Sequence, residues 1–365
     1  MTEKPKTVLL LIARFEFGGI PIQAFLWSNF LKLNGFHPIV LAQYTYDSKY
    51  IELLKKSNIG YGFLNTSDFN GSKKESLFYF YNLINCLQSY KPDYIFPFNK
   101  HLSFHVNLIW RFTTAKKCFF MERGHGIDEL YSWKDLIVKN LSQINSSVLI
   151  YNSYSAYLKS RFPNKSIVIK NTFREVKRFT TDFIFPVEFS ENDIVFIHIA
   201  NLGIPKNYQL LIDGWKIISL KNPNFKLLVI GSDIKGNNNY LKQSFLELGI
   251  FYLGRKENVY PFIDRADICL LSSYNEGCPN VILEYMNAGK LIVASNIDSI
   301  REVLDPMNHQ YLFDNQSPND FANKVLSLYY LSLADKINLI AKNKEKLQKD
   351  YSESNFKLVL NLFNG

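Results

Sequence analysis

The chain has 365 residues, of which 47% are hydrophobic and 21% are charged. A chain this apolar is not disordered, and one this long exceeds a single compact core, so we expect two domains. The formal net charge is +9, and its distribution is uneven: residues 1–172 hold 21 Lys and Arg against 11 Asp and Glu, whereas the remainder holds 21 against 22.

The basic first half has two open interpretations: a solvated basic face, or a surface that meets anionic lipid headgroups near aromatic clusters such as residues 78–81. Nucleic acid is disfavoured because no recognition-module signature accompanies the charge. The longest apolar run, residues 8–13, is far shorter than the ~20 residues of a membrane span. It follows Lys4 and Lys6 without a cleavage-site pattern, so we expect the first strand of a cytoplasmic protein.

The four cysteines, Cys86, Cys118, Cys269 and Cys278, are far apart in the sequence. They form no CxxC pair, and no histidine stands at metal-ligand spacing from them. We therefore expect reduced thiols, packed as small apolar side chains, and no metal site.

Short apolar runs alternate with helical patterns, which is typical of parallel sheets covered by helices on both faces, so the fold class is α/β. A strand at 7–13, the glycine turn Gly18-Gly19 and a helix to about residue 34 begin the first half. The further elements predicted there are strands at 37–42, 93–97, 117–121, 148–151 and 166–169 and helices at 74–89 and 153–161.

A polar, irregular stretch at 171–192 marks the domain boundary. The second half then repeats the alternation, with strands at 194–199, 226–230, 268–271 and 291–295 and helices at 208–220, 241–248 and from about 280. An apolar stripe near the end comprises Phe356, Leu358, Val359, Leu362 and Phe363. We predict domains at 1–175, joined by a C-terminal helix at 351–365, and at 176–350.

The strongest functional signal is the segment E-G-C-P-N-V-I-L-E at 276–284, which follows a predicted strand and opens a predicted helix. Pro279 suits the first helical turn, where its missing N–H costs nothing. The N–H groups from Gly277 to Val281 then form a positive helix terminus at the sheet edge where α/β proteins bind ligands. This predicts an anion and polyol site.

Two carboxylates border that predicted terminus. Glu284 lies four residues beyond Asn280, roughly 6 Å along a helix. Its carboxylate and that of Glu276 are therefore expected to bracket one elongated ligand that carries hydroxyl groups.

The stretch 266–295, in which N-A-G-K and I-V-A-S follow the glutamates, resembles the E-x7-E region of retaining GT-B glycosyltransferases of the large sucrose-synthase-like family, glycosyltransferase family 4-like. The resemblance implies that Glu276 hydrogen-bonds the donor sugar and that Glu284 holds the ribose hydroxyls. The remaining donor contacts that it implies are Gly277, Cys278, Pro279, Asn280 and Val281. Cys278 stands where that family usually has an aromatic residue.

The loop at 199–207 resembles the family's G-R-L loop, whose Arg and following Lys neutralise the nucleotide diphosphate. Lys206 fits that Lys, whereas Asn201 stands where Arg is usual. One cation is therefore missing unless another basic residue, such as Arg255, substitutes for it.

Other glycine loops have weaker support. Gly231-Ser232 ends a predicted strand, and either a nucleotide contact or a simple turn explains it. Gly18-Gly19 resembles the family's glycine loop near the donor phosphates. In E-R-G-H-G at 122–126, His125 resembles the histidine that relatives bring to the donor sugar, although a structural histidine remains open.

The resemblance implies two Rossmann-like domains facing across a cleft, and transfer of a sugar from a UDP- or GDP-linked donor to an acceptor hydroxyl with retained anomeric configuration. Glu276, His125 and Lys206 are the catalytic candidates, and no metal or other cofactor is expected. The preferred acceptor is a lipid-linked or growing saccharide in bacterial surface polysaccharide assembly, at the inner face of the plasma membrane.

Two alternatives remain open. One is a nucleotide-sugar epimerase or a phosphorylase on the same architecture. The other is a catalytically silent nucleotide-sugar-binding partner of another transferase, which the Asn201 substitution favours. A dinucleotide-dependent dehydrogenase is disfavoured because residues 17–19 do not open a G-x-G-x-x-G turn.

Overall fold

The computed structural model of the protein describes residues 4–44, 49–64, 73–124, 132–173, 185–233 and 236–363. The chain forms two compact units, one of residues 1–172 with 354–365 and the other of residues 173–353. Each unit is built on a parallel β-sheet with helical crossovers.

In the first unit, the described elements follow one another in a β/α alternation. They are β1 (Thr7–Arg14), α1 (Gly19–Leu33), β2 (His37–Tyr44), α2 (Lys49–Lys56), β3 (Gly60–Phe63), α3 (Lys73–Ser89), β4 (Tyr94–Pro97), α4 (Lys100–Ile109), β5 (Lys117–Glu122), α5 (Trp133–Asn145), β6 (Val148–Tyr151), α6 (Tyr154–Tyr157) and β7 (Ser166–Val168). The strand order is β3-β2-β1-β4-β5-β6-β7. The pairs are parallel.

The second unit has the same alternation. Its described elements are β8 (Ile194–Ile199), α7 (Tyr208–Ser219), β9 (Phe225–Ile230), α8 (Asn239–Glu247), β10 (Phe251–Tyr252), α9 (Tyr260–Arg265), β11 (Ile268–Leu271), α10 (Asn280–Asn287), β12 (Leu291–Ser295), α11 (Asp298–Val303), β13 (Leu312–Phe313), α12 (Pro318–Tyr329) and α13 (Leu333–Asp350). The strand order is β10-β9-β8-β11-β12-β13, again with parallel pairs.

The central strands are apolar along their whole length because helices cover both faces of each sheet. In β1, residues 8–12 are fully buried, and β11 and β12 are buried throughout. These continuous apolar runs are the strands that the sequence predicts best. The predicted α/β class, with two Rossmann-like sheets, is confirmed.

The end of the chain belongs to the first unit. A 3-10 turn at Glu353–Phe356 leads into α14 (Lys357–Asn361), so the predicted helix 351–365 is shorter and broken. Phe356, Val359, Leu362 and Phe363 pack into the core that contains α1 and β4. Leu358, also placed in the predicted stripe, is 38% exposed instead.

Another predicted helix is shorter than expected. The pattern at 153–161 yields only Tyr154–Tyr157. Beyond it, Ser160 Oγ accepts a hydrogen bond from the Phe162 amide and lies 2.9 Å from Ser166 Oγ, which donates to the Phe162 carbonyl. These bonds hold a turn before Pro163. Of the cysteines, Cys118, Cys269 and Cys278 are buried and Cys86 is half-buried, and all four are thiols.

Candidate functional site

The second sheet has its topological switch point between β8 and β11. β8 comes first in this unit, yet it pairs with β9 on one side and with β11 on the other. Ligands of open α/β sheets bind in the crevice outside the carboxyl ends of two such strands. Residues 200–207 follow β8 and residues 272–279 follow β11, so both predicted motif loops border this crevice.

Lys206 and Glu276 meet at this edge of the sheet. Lys206 ends a 3-10 turn at Ile204–Lys206, and its Nζ lies 2.5 Å from Glu276 Oε1. The hydroxyl of Ser273 donates to the same carboxylate oxygen at 2.7 Å. The two charged side chains are 27% and 14% exposed, so the pair is held in place and remains open to a ligand.

Backbone contacts tie the two loops together. Ser272 Oγ donates to the Lys206 carbonyl at 2.9 Å, and the Tyr274 amide donates to the Pro205 carbonyl at 2.9 Å. These bonds join the chain directly after β11 to the turn that carries Lys206. The distance between Lys206 and Glu276 is therefore set by the backbone as well as by their own ion pair.

Sequence reasoning missed His198, which lies beneath this turn. His198 is fully buried in β8, and its Nε2 lies 3.1 Å from Ser272 Oγ. Burial, and secondarily the nearby Lys206 charge, lowers the pKa of His198 to about 3, so the imidazole is neutral. A single histidine within an otherwise apolar strand was the available signal.

Asn201 holds the chain after β9. Its Oδ1 accepts a hydrogen bond from the Ser232 amide at 3.0 Å, and the Leu202 amide donates to the Ser232 carbonyl at 2.8 Å. The carboxamide that stands in the expected Arg position thus joins the loops that follow β8 and β9. The bond from the Ser232 amide to Asn201 therefore serves to hold the backbone of these two loops.

Gly231 has a steric explanation of its own. A Cβ at this position would lie 1.8 Å from the Ala200 carbonyl oxygen, which no side chain tolerates. The backbone that lies close to Gly231 is therefore that of the loop after β8, at Ala200. The Gly231 amide also donates to the Gly254 carbonyl at 3.0 Å, which brings the backbone before Arg255 to the same edge. The side chain of Arg255 is exposed.

The segment that opens α10 is buried at its start. Gly277, Cys278 and Pro279 have little exposed surface, and the helix begins at Asn280, as predicted, with Pro279 in the N-cap position directly before it. Pro279, the N-cap residue, makes no side-chain cap hydrogen bond, and the first turn of the helix points its backbone N–H groups toward the crevice. Cys278 is 7% exposed and packs into the apolar cluster of this unit.

Glu284 lies one turn into α10. Its carboxylate makes no hydrogen bond or ion pair with the residues that the structure describes, and burial raises its pKa to about 7. A half-buried carboxylate without an internal donor is suited to accept hydrogen bonds from the hydroxyls of a ligand.

Two of the predicted donor-site residues, Gly18 and Gly19, lie in the first unit. They follow β1, which is at the topological switch point of this sheet because it pairs with both β2 and β4. Gly18 and Gly19 are exposed at the start of α1, and a Cβ on Gly18 would meet nothing closer than 3.9 Å. Packing does not require glycine at Gly18. His125, the third catalytic candidate, lies outside the described residues.

Next to that undescribed loop is a buried ion pair that sequence reasoning did not identify. Lys139 Nζ lies 3.4 Å from Glu122 Oε2, and both side chains are at most 10% exposed. The adjacent Arg123 donates to Asn171 Oδ1 at 2.7 Å and stacks over the Phe98 ring. Within the described ranges, no group of three or more His, Cys, Asp or Glu is arranged to hold a metal ion.

The fold is that of the GT-B class. Across 98% of its length, the chain superposes on a crystal structure of Anabaena HepE in complex with UDP and glucose, with a TM-score of 0.79 at 18% sequence identity, and the match covers 99% of that chain. At that identity the match shows the fold alone. Residues 179–357 match the family model described as glycosyl transferases group 1.

The sequence matches to curated relatives cover a smaller share of this chain than the structural match does. The chain is 22% identical over 256 residues to an uncharacterized glycosyltransferase of Methanocaldococcus jannaschii, a match that covers 62% of this chain and 61% of the relative. It is 28% identical over 204 residues to the N,N'-diacetylbacillosaminyl-diphospho-undecaprenol alpha-1,3-N-acetylgalactosaminyltransferase of Campylobacter jejuni, which covers 52% of each chain. The matched stretches span less than two thirds of either relative.

Proposed function

We propose that the protein is a retaining glycosyltransferase that transfers a sugar from a UDP- or GDP-linked donor to an acceptor hydroxyl without a metal cofactor. One observation carries the proposal. Within the stretch that matches the glycosyl transferases group 1 model, Lys206, Glu276 and the start of α10 converge on the switch point of the sheet, with Glu284 one turn further along.

The reaction separates charge, because the sugar becomes cationic as the diphosphate departs. The Lys206 ammonium and the N–H groups at the start of α10 would stabilise the leaving diphosphate. Glu276, once a diphosphate draws Lys206 away, is free to accept hydrogen bonds from sugar hydroxyls. The leaving phosphate would take the acceptor's proton on the same face, so neither glutamate needs to form a covalent bond.

As the acceptor, we propose a lipid-linked or growing saccharide in bacterial surface polysaccharide assembly, reached from the cytoplasmic side of the membrane. The name of the Campylobacter relative includes a diphospho-undecaprenol-linked sugar. The basic first half of this chain complements the phosphates of such an acceptor.

A thermal-shift screen against UDP, GDP, ADP, CMP and their sugar conjugates tests the donor site. Stabilisation by one nucleotide series is expected, growing with ligand concentration to about 2.7 kcal/mol at one hundred times the dissociation constant. It should be clearly smaller in Lys206→Ala and Glu284→Ala proteins at the same ligand concentration. Turnover with the identified donor is then followed by NMR, in which a retained anomeric configuration is expected.

A matched control is Lys346→Ala. Lys346 pairs with Asp350 at 2.8 Å on α13, and the two side chains are 21% and 23% exposed, much like the Lys206 pair. This variant should keep the nucleotide response. No stabilisation by any nucleotide would overturn the proposal, whereas binding without turnover on any acceptor would favour the silent binding partner. Isomerised donor without an acceptor would indicate an epimerase.

A further inference from the structure

Helix α5 of the first unit exposes its apolar side chains. Trp133, Ile137, Leu141 and Ile144 are 68%, 50%, 50% and 60% exposed. Their spacing of four, four and three residues puts them on one face of the helix. A surface helix ordinarily turns such a stripe toward the core, so α5 presents to solvent the face that packing would otherwise cover.

The inward face of α5 is polar instead. Its buried residues are Lys139, Ser142 and Gln143. Lys139 forms the buried ion pair with Glu122, and Ser142 Oγ donates to the Phe104 carbonyl at 2.7 Å. Because these groups are satisfied inside, the helix cannot rotate to bury its apolar stripe without leaving a buried charge unpaired. The exposed stripe is therefore a fixed feature of the unit.

Cations border the stripe along its length. The Lys134 ammonium lies over the Trp133 ring, 5.5 Å from its centroid. Arg161 Nη1 donates to Asn140 Oδ1 at 3.2 Å, and Lys165 Nζ donates to the Ile144 carbonyl at 2.7 Å.

The acidic counterparts are few. Arg111 Nε donates to Asn145 Oδ1 at 2.8 Å, which adds a cation at the end of the helix. Asp135, the one acidic residue of α5, is held by the hydroxyl of Ser132 at 2.9 Å. Among the described residues, the border of the stripe is therefore basic.

We propose that α5 is a docking surface for a bilayer with anionic headgroups, with its apolar stripe at the depth of the acyl-chain boundary and its cations against phosphates. Tryptophan and aliphatic residues bordered by Lys and Arg are the composition of interfacial helices. No helix in the described ranges is long and apolar enough to cross a membrane. The proposal goes beyond the transfer reaction and does not depend on it.

A second copy of the chain fits this surface less well. Two identical stripes packed face to face would bring the Arg161 and Lys165 of each copy toward those of the other. Like charges opposed across an interface cost free energy, and lysine is depleted from the core of protein interfaces. An anionic lipid surface instead complements the same cations.

Tryptophan fluorescence offers a direct test. The chain has four tryptophans, and Trp27, Trp110 and Trp215 are buried, so Trp133 alone is exposed. With the full-length protein and vesicles of phosphatidylcholine containing roughly one third phosphatidylglycerol, we expect co-sedimentation and a blue shift of the emission. Vesicles of phosphatidylcholine alone should bind at least about tenfold more weakly. A Trp133→Phe variant should abolish the blue shift.

The decisive variant changes three exposed side chains and so should leave the fold intact: Ile137→Gln, Leu141→Gln and Ile144→Gln combined. It should lose vesicle affinity by about tenfold or more. A matched control makes the same change at three exposed leucines of the second unit: Leu220, Leu246 and Leu333. The control should bind vesicles as the wild type does. Both variants should keep any nucleotide-dependent thermal shift, so this test is separate from that of the transfer reaction.

Two results would overturn the proposal. One is the absence of both co-sedimentation and a Trp133 emission shift with the anionic vesicles. The other is a dimer by light scattering that the α5 variant converts to a monomer, which would assign the stripe to a second copy of the chain.

Discussion

Lys206 and Glu276 are 70 residues apart in the chain, yet Lys206 Nζ and Glu276 Oε1 lie 2.5 Å apart. They meet because β8 and β11 are adjacent in the sheet, so the loops after these strands share one edge. In the absence of a ligand the two groups neutralise each other. Under the proposed function, a diphosphate would replace the Glu276 carboxylate as the partner of Lys206, and the released carboxylate would become available to the sugar.

This exchange of partners predicts that Lys206→Ala weakens binding of a nucleoside diphosphate more than binding of the corresponding monophosphate. Loss of the cation should weaken binding of the preferred nucleoside diphosphate by roughly ten- to a hundredfold, the range of a hydrogen bond to a charged group, and change binding of the monophosphate much less. Isothermal titration calorimetry with both nucleotides measures the difference, with Lys346→Ala as control. Equal losses for the two nucleotides would instead assign Lys206 a structural role.

Glu284 predicts a pH-dependent stability effect. Its folded pKa of about 7 lies above the ordinary value of 4.5, so between these values the folded state holds a proton that the unfolded state has lost. Stability from this group therefore falls as pH rises from 4.5 to 7. Glu284→Gln should be as stable as the wild type near pH 4.5 and more stable at pH 8, by up to about 3 kcal/mol, while binding nucleotide more weakly.

Denaturant titrations of the two proteins at pH 4.5, 6 and 8 check the sign of this effect. Glu276→Gln is the matched control for loss of a carboxylate, because Glu276 already has Lys206 and Ser273 as partners. If Glu284→Gln is less stable than the wild type at pH 8, the carboxylate has a stabilising partner, and its proposed availability to a ligand is wrong.

The strands were predictable because burial on both faces makes them continuous apolar runs; β6, β8, β11 and β12 begin and end where the sequence indicates. Helix α4 was not predicted, since it buries polar residues. Ser103 Oγ donates to the Pro97 carbonyl at 2.8 Å, and Asn107 Nδ2 donates to the Phe119 carbonyl at 3.0 Å. These polar residues interrupt the apolar stripe on which a helix prediction depends.

The candidate site was predictable where the chain itself carries the motif. The segment 276–284 and Lys206 were identified as separate signals. Their pairing, and the contacts of Ser272 and His198 beneath them, depend on which strands are neighbours in the sheet. No local sequence pattern indicates which strands are neighbours in the sheet. The role of Asn201 likewise became visible only through its bond to the Ser232 amide.

Ser272→Ala should loosen the turn that carries Lys206. The variant removes a buried hydroxyl that bonds both the Lys206 carbonyl and His198, at a cost of about 1–2 kcal/mol in the free energy of unfolding. Because the turn positions the cation, affinity for the nucleoside diphosphate should also fall. Ser295→Ala is the control: that hydroxyl is also buried, and its bond to the Leu271 carbonyl is longer, 3.5 Å.

Calorimetry and chemical denaturation of both serine variants separate the two effects. The expected pattern is a loss of nucleotide affinity in Ser272→Ala that Ser295→Ala does not share. Equal nucleotide affinity in the two variants would show that the ion pair with Glu276 holds Lys206 without help from Ser272.

Gly231→Ala should destabilise the second unit severely. The added methyl carbon would lie 1.8 Å from the Ala200 carbonyl oxygen, a backbone atom that cannot move without breaking the bond from the Tyr208 hydroxyl to that oxygen. The loops after β8 and β9 would have to separate, and we expect a cost of about 3 kcal/mol or more.

Gly203→Ala is the matched control, because its methyl carbon would meet nothing closer than Pro205 Cδ at 3.8 Å. Gly203 has φ 170°, extended backbone that alanine adopts without strain. Denaturation of both variants distinguishes the two possible reasons for glycine at this edge. If Gly231→Ala folds with near wild-type stability and loses only nucleotide binding, the close approach is made by the ligand, and the packing explanation is wrong.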